Sequence, residues 1–215
     1  MEEKKISKAV IARLPRYYRY LGNLIDEGVE RISSKALSER MHTTASQIRQ
    51  DFNNFGGFGQ QGYGYNVRYL HEEIGKILNL DTSHNMIIVG VGNIGHALAE
   101  FLKNGANGFH VIGLFDSDEK KIGDEVTGLK IQSTRDIGKF IQENNVNIAL
   151  LAVPTRFALK SAKDLVNQGI KSIWNFALID LDFYLPNDVV VENVHLMESL
   201  MRLSYNSNNN DGYSI

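Results

Sequence analysis

A chain of 215 residues with 43% hydrophobic side chains, 22% charged side chains and a net charge of −2 has ordinary globular composition, long enough to bury a core in one large or two modest domains. No N-terminal apolar run resembles a signal peptide and no stretch approaches the roughly 18 apolar residues of a membrane span, so a cytoplasmic protein with no membrane partner is expected. With no cysteine there is no disulfide, no thiol redox chemistry and no Cys-ligated metal, and the six histidines lack the close spacing of metal ligands, so no metal is expected.

The front of the chain is basic: residues 1–79 carry 12 Lys and Arg against 9 acids, and residues 80–215 carry 11 against 16. Lys4, Lys5, Lys8, Arg13, Arg16 and Arg19 meet no acid before Asp26. The segment ISKAVIARLPRYYRYLGNLIDEG offers two short amphipathic helices, with Pro15 tolerated in the first turn of the second. In SSKALSERMHTTASQIRQDFNNFGG, Ser33 or Ser34 caps a helix burying Leu37 and Met41, and a three- or four-residue turn leads to another helix. There Ala45, Ile48, Phe52 and Phe55 recur at steps of three and four, Thr44 and Gln47 form a capping box, and Gly56-Gly57 supply the stop. The opposite face is Ser46, Gln47, Arg49, Gln50 and Asn53, polar groups suited to reading edges. Next, FGQQGYGYNVRYLHEEIGKILNL alternates glycine with aromatic residues as a short hairpin does, before a helix carrying Leu70, Ile74, Ile77 and Leu78. Helix, turn, polar-faced helix and hairpin make a winged helix-turn-helix domain over residues 1–80.

Such a helix fits the major groove of double-stranded DNA, where Arg49 donates bidentately to guanine and Gln47 or Gln50 pairs with adenine. Arg13, Arg16, Arg19 and the N-terminal lysines would neutralise phosphates, adding affinity and salt dependence but little specificity. A helical bundle that docks another protein is the alternative reading.

The second domain, residues 81–193, opens with an apolar strand, Gly90-Val91-Gly92-Asn93-Ile94-Gly95, a helix and the strand HVIGLFD. Within that setting G-x-G-x-x-G is a dinucleotide fingerprint. Gly90 permits the tight turn, Gly92 lets backbone approach a pyrophosphate, Gly95 lets helix pack on strand, and the helix N-terminus offers N–H groups to phosphate. Asp116, 21 residues beyond Gly95, stands where a carboxylate accepts both adenosine ribose hydroxyls and repels a 2′-phosphate, favouring NAD(H) over NADP(H). Strand, loop and helix repeat in VNIALLAVPTRFALKSAKDLVNQGIKSIWNFALIDL, and DVVVEN reads as a last strand. The expected sheet is parallel and doubly wound, with Val153-Pro154-Thr155 and Asn175-Phe176-Ala177 at strand ends beside the nicotinamide. Residues 194–206 form an end helix with Leu196, Leu200, Met201 and Leu203 on one stripe, which packs on its own sheet or pairs two subunits; residues 207–215 form a polar tail.

A dehydrogenase would need a substrate domain, yet only about 40 residues follow Asn175, with His195 the one possible base. A CoA- or nucleotide-binding module that docks a protein is a third reading. Together, RLPRYYRYL, TTASQIRQDFNNFGGFG, GQQGYGYNV, IIVGVGNIGHALA and FDSDEKKIG resemble Rex, the family of bacterial redox-sensing transcriptional repressors that respond to NADH and NAD+, over essentially the whole chain. The resemblance implies a repressor rather than an enzyme: a homodimer with N-terminal winged helices, a Rossmann-like core and a C-terminal helix swapped between subunits. It would bind a palindromic operator when NADH is low and release it when NADH binds. It implies Arg16, Ser46, Gln47, Arg49 and Gln50 at the DNA. It likewise implies Gly90, Gly92, Asn93, Ile94, Gly95, Asp116, Lys121, Val153, Pro154, Thr155, Asn175 and Phe176 at NAD(H), with Val91 in the same loop. The chain departs from the family at Gln50 and at the wing residues Gln60-Gln61, where basic residues are common, and at His96, where arginine is frequent. A smaller electrostatic share of DNA affinity is expected.

Overall fold

The computed structural model describes residues 6–55, 59–60, 63–105 and 107–208. The chain divides into two compact units, Met1–Thr82 and Ser83–Ile215.

In the first unit the two helices expected over residues 6–28 are one, α1 (Lys8–Asp26), with Pro15 inside it. Ser7 caps it, its Oγ accepting from the Val10 N–H. Proline removes the N–H that would bond the Ile11 carbonyl, a cost set by local chemistry. What overrides it is a buried stripe running unbroken past Pro15 through Val10, Leu14, Tyr17, Leu21 and Leu24, each large apolar side chain contributing about 1.5–3 kcal/mol by burial. Pro15 and Ile11 both lie on the exposed face, where water reaches the orphan carbonyl. Pro15→Ala is therefore expected to stabilise this unit by about 1–3 kcal/mol, read as a higher urea midpoint with an unchanged slope.

Strand β1 (Arg31–Ile32) follows, then α2 (Ser34–Met41), capped by Ser33 and burying Leu37 and Met41 as expected. His42 ends α2 in the left-handed conformation, and a short turn leads to α3 (Ala45–Asn53), capped by Thr44. Strands β2 (Gly59–Gln60) and β3 (Gly64–Asn66) pair antiparallel as the wing, and β1 adds a third strand that sequence periodicity did not reveal. Gly64 has φ +70°, and a Cβ there would stand 2.7 Å from the Ile32 carbonyl oxygen, so β1 and β3 close only on glycine. Helix α4 (Val67–Ile77) packs along α1; it buries Val67, Leu70 and Ile74 and leaves Ile77 exposed. The core of this unit gathers Leu14, Tyr17, Leu21, Leu37, Ile48, Phe52, Leu70 and Ile74.

The second unit begins with β4 (His84–Val89), α5 (Asn93–Leu102) and β5 (Phe109–Asp116). A short hairpin, β6 (Glu125–Val126) and β7 (Leu129–Ser133), precedes α6 (Ile137–Asn144). Then come β8 (Ile148–Leu151), α7 (Thr155–Asn167), β9 (Ser172–Asn175), β10 (Val190–Asn193) and α8 (Leu196–Asn208). The strand order is β10-β9-β8-β4-β5-β7-β6. All pairings are parallel except β6 with β7, so the expected all-parallel sheet has an antiparallel edge strand. Without that edge the order is the doubly wound 3-2-1-4-5-6 arrangement, and it reverses at β4, which pairs with β5 on one side and β8 on the other. Helices cover both faces, which is why Ile87, Ile88, Ala149 and Leu150 are wholly buried rather than alternating. The end helix runs to Asn208, so Ser207 is helical rather than part of a tail.

Candidate nucleic-acid and dinucleotide sites

Two features orient α3. The Thr44 hydroxyl accepts the Gln47 N–H at 3.2 Å, but Gln47 completes no capping box: its Nε2 donates to Asp51 Oδ1 at 2.8 Å. At the other end the Asn54 side chain donates to the carbonyls of Gln50 and Asp51, satisfying groups a helix end leaves open. Gly56-Gly57 and Gln61 lie outside the described residues, as does the side chain of Gln60, whose backbone is in β2. The buried face is Ile48, Asp51 and Phe52, with Ala45 half-buried. Ser46, Arg49, Gln50 and Asn53 are exposed together, and Gln47 is half-buried.

The basic residues of α1 separate into two groups. Arg16 and Arg19 are exposed, and Arg16 Nη2 donates to the Met41 carbonyl. Arg13, expected at phosphate, instead donates through Nε and Nη2 to Asp51, each at 2.7 Å. The reason is a buried carboxylate that sequence reading missed: Asp51 is 0% exposed and also accepts the Tyr17 hydroxyl at 2.7 Å. Burial pushes this carboxyl up, but bonds from Arg13, Tyr17 and Gln47 outweigh that and hold it below the usual carboxylate value. The available signal was an acid beside Phe52 on the apolar face of an otherwise regular amphipathic pattern.

In the second unit Gly90 has φ +95°, and a Cβ on it would stand 2.6 Å from the Ala152 carbonyl oxygen and 2.9 Å from Val153 Cγ1. The loop after β4 and the loop after β8 therefore touch across the point where the strand order reverses, the place where such sheets bind ligands. A Cβ on Gly95 would lie 2.0 Å from the Gly90 carbonyl oxygen, so α5 seats on β4 only through glycine. Gly92 is different: nothing of the chain lies within 4 Å of its would-be Cβ. It is the N-cap of α5 and has no side chain to close the helix, so the first-turn N–H groups of Asn93 and Ile94 stay open. An open cleft of about 380 Å³ lies here, lined by Val91, Gly92, Asn93, His96, Ala97 and Lys121.

Asp116 ends β5 beside this cleft but is nearly buried. Its Oδ2 accepts the Val91 N–H at 2.9 Å and Lys121 Nζ at 3.1 Å; its Oδ1 accepts the Asp118 N–H at 2.9 Å. Burial raises this carboxyl, and the N–H of Asp118, the Lys121 ammonium and the N–H of Val91 more than reverse it, holding it below its ordinary value. Three of its four lone-pair positions are filled, one of them by the half-buried Lys121 side chain. Asn175 is held by the chain itself. Its side chain is 0% exposed, with Oδ1 accepting the Ala177 N–H and Nδ2 donating to the carbonyls of Ala177 and Ile179 and to Asn193 Oδ1. It shapes the loop after β9. Phe176 is half-buried against Trp174, ring centroids 4.8 Å apart, and Val153 is half-buried. Pro154 and Thr155 are exposed at the start of α7. His195 pairs with Asp180 at 2.8 Å where β10 passes into α8.

Bare backbone donors at a helix start, a loop that only glycine closes and a carboxylate behind it fit a dinucleotide's pyrophosphate and ribose. Among the described residues no cluster of His, Asp and Glu suits a metal, and no helix is long and apolar enough to cross a membrane. A winged helix-turn-helix unit in front of a Rossmann-like unit is the frame of a nucleotide-responsive transcription regulator. Comparison with known proteins agrees. A family described as the N-terminus of putative DNA-binding proteins matches residues 5–53, and a CoA-binding domain family matches residues 81–179. The chain is 51% identical to the redox-sensing transcriptional repressor Rex of Caldicellulosiruptor saccharolyticus over 96% of its own length and 94% of that protein's. It is 51% identical to that of Clostridioides difficile over 94% and 95%. The crystal structure of RSP with β-NAD+ and operator DNA has a TM-score of 0.90 at 48% identity, covering 97% of this chain and 95% of that one. RSP with β-NADH has a TM-score of 0.87 at 45% identity, covering 96% of each. The chain belongs to the Rex family of redox-sensing transcriptional repressors, regulators rather than enzymes.

Proposed function

We propose that this protein represses transcription by binding a two-fold-symmetric DNA operator as a homodimer, and that it releases the operator when NADH rises relative to NAD+. The observation that carries the reading is one chain holding both an exposed polar face on α3 and a glycine-loop cleft with open helix-start donors. The relatives support it, since RSP was solved with β-NAD+ and operator DNA together and with β-NADH.

In this reading Ser46, Arg49 and Gln50 meet base edges, Arg16 and Arg19 meet phosphates, and the wing at Gln60-Gln61 tracks the backbone with little charge. Gly92, Asn93 and Ile94 hold the pyrophosphate through backbone N–H groups, Asp116 and Lys121 face the ribose side, and Val153 and Phe176 give the nicotinamide an apolar wall. A bound nicotinamide supplies a redox-dependent charge, cationic when oxidised and neutral when reduced. Apolar walls favour the neutral ring. Affinity alone shifts nothing; the walls must prefer NADH in the arrangement that misplaces the two α3 helices, and a preference of about 10⁴-fold carries a two-state protein from mostly bound to mostly released.

The exposed stripe of α8 supports a dimer. Leu196, Leu200, Met201 and Leu203 are all more than half exposed, an apolar stripe that a second copy of the chain would cover. The test is fluorescence anisotropy of a labelled two-fold-symmetric operator titrated with protein alone, with NAD+ and with NADH at fixed salt. Binding of two protomers per duplex, lost with NADH and kept with NAD+, is expected. Binding indifferent to both nucleotides would overturn the redox reading.

A further inference from the structure

Asp51 is the one acid on the buried face of α3, and its four lone-pair positions are all filled. Oδ1 accepts Arg13 Nη2 at 2.7 Å and Gln47 Nε2 at 2.8 Å; Oδ2 accepts Arg13 Nε at 2.7 Å and the Tyr17 hydroxyl at 2.7 Å. Arg13 and Tyr17 sit one turn apart on α1, and Gln47 and Asp51 one turn apart on α3, so the carboxylate ties two successive turns of each helix. An apolar residue would dock α3 as well or better in energy terms, because desolvating a carboxylate is costly. Hydrogen bonds add direction: they fix rotation and slide of one helix on the other, which apolar contact leaves loose. Tyr17 also meets Phe52 edge-on, ring centroids 4.9 Å apart, so the same side chain packs and registers α3.

Resting on the repressor reading, we infer that Asp51, with Arg13, Tyr17 and Gln47, is a positioning clamp that sets the angle at which α3 is presented to DNA, and that Gln47 belongs to this clamp and not to base readout. A carboxylate only accepts, so the Gln47 amide must point its nitrogen inward, and bidentate pairing with adenine needs both that nitrogen and its oxygen turned to the groove. Base reading then falls to Ser46, Arg49 and Gln50. Arg13, its charge cancelled by Asp51, adds little to counterion release, unlike Arg16 and Arg19.

The test uses the full chain and a two-fold-symmetric duplex selected by the wild type from a randomised pool, at a temperature where circular dichroism shows each variant folded. Affinity is measured for that duplex and for its single base-pair variants. Gln47→Ala is expected to weaken binding to every duplex by the same few-fold factor and keep their rank order, whereas Gln50→Ala flattens the preference at one base pair per half-site. Asp51→Asn is expected to weaken all duplexes about tenfold and keep their rank order. Should Asp51→Asn fail to fold, Tyr17→Phe keeps the ring and removes one bond, with a smaller uniform loss expected. Relaxed discrimination at one base pair in Gln47→Ala, or wild-type affinity in both clamp variants, would overturn the inference. Amide hydrogen exchange without DNA gives an independent arm: faster exchange across α3 in Gln47→Ala supports the clamp and unchanged exchange sinks it. If the wild type selects no duplex, the repressor reading fails by itself, and the exchange experiment still decides the clamp.

Discussion

Gly95→Ala is expected to abolish dinucleotide binding and to destabilise the second unit by at least about 3 kcal/mol. The added Cβ would lie 2.0 Å from the Gly90 carbonyl oxygen, and that obstacle is backbone in the loop itself rather than a side chain that swings aside. To make room, α5 must lift from β4, opening the contact that buries Ile88 and Ala99. Gly92→Ala is the informative partner. Its φ of −85° suits any residue, and its would-be Cβ meets nothing of the chain, so the melting temperature should stay within about 2 °C of wild type. NADH affinity should nonetheless fall sharply, because that methyl group stands where a pyrophosphate must reach the helix start. Calorimetric titration of both variants beside their thermal melts checks the pair. Full NADH affinity in Gly92→Ala would mean that the phosphates bind elsewhere.

Arg13→Met is expected to cost the first unit about 2 kcal/mol at neutral pH. That is less than the roughly 3–5 kcal/mol of a fully buried pair, because the Arg13 side chain is 36% exposed and partly screened. The sign of the pH effect follows from Asp51. In the wild type its folded pKa lies below the unfolded value, so its stabilisation is complete above the unfolded carboxylate's range, near pH 4, and is lost as pH falls through the lowered folded value. In the variant burial acts without the guanidinium, the carboxyl titrates higher, and protonation relieves the deficit. The gap in urea midpoint should be widest near pH 7 and close on acidification. A gap constant with pH would mean that Arg13 matters through packing alone.

These two sites also mark what the sequence discloses. Gly90 and Gly95 were readable because their reasons are local: a left-handed φ and a backbone approach within one βα turn. The caps at Ser33 and Thr44 were readable for the same reason, each bond spanning three residues. Asp51 was not, since its partners Arg13 and Tyr17 lie 38 and 34 residues away and a single acid in a helix reads as surface. The same distance argument covers Asn175, whose strand-end position was visible but whose bond to Asn193, 18 residues on, was not. Pro15 disguises α1 because a helix breaker is a local signal, whereas the buried stripe that carries the helix across it depends on the packed core. Strands β1 and β6 have two residues each, too few to show any alternation.

The exposed stripe of α8 has a consequence for how repression scales with copy number. In the proposed homodimer, an apolar face that a second chain covers would make dimer formation a mass-action step, and the dimer would bring both copies of α3 to the operator. Below the dimer's dissociation constant, operator occupancy then grows with the square of protomer concentration, so a modest fall in protein abundance derepresses more steeply than a one-to-one binder would. A charge in the stripe, such as Leu200→Glu, is expected to move that threshold while leaving the residues that line the nucleotide cleft and those of α3 unchanged.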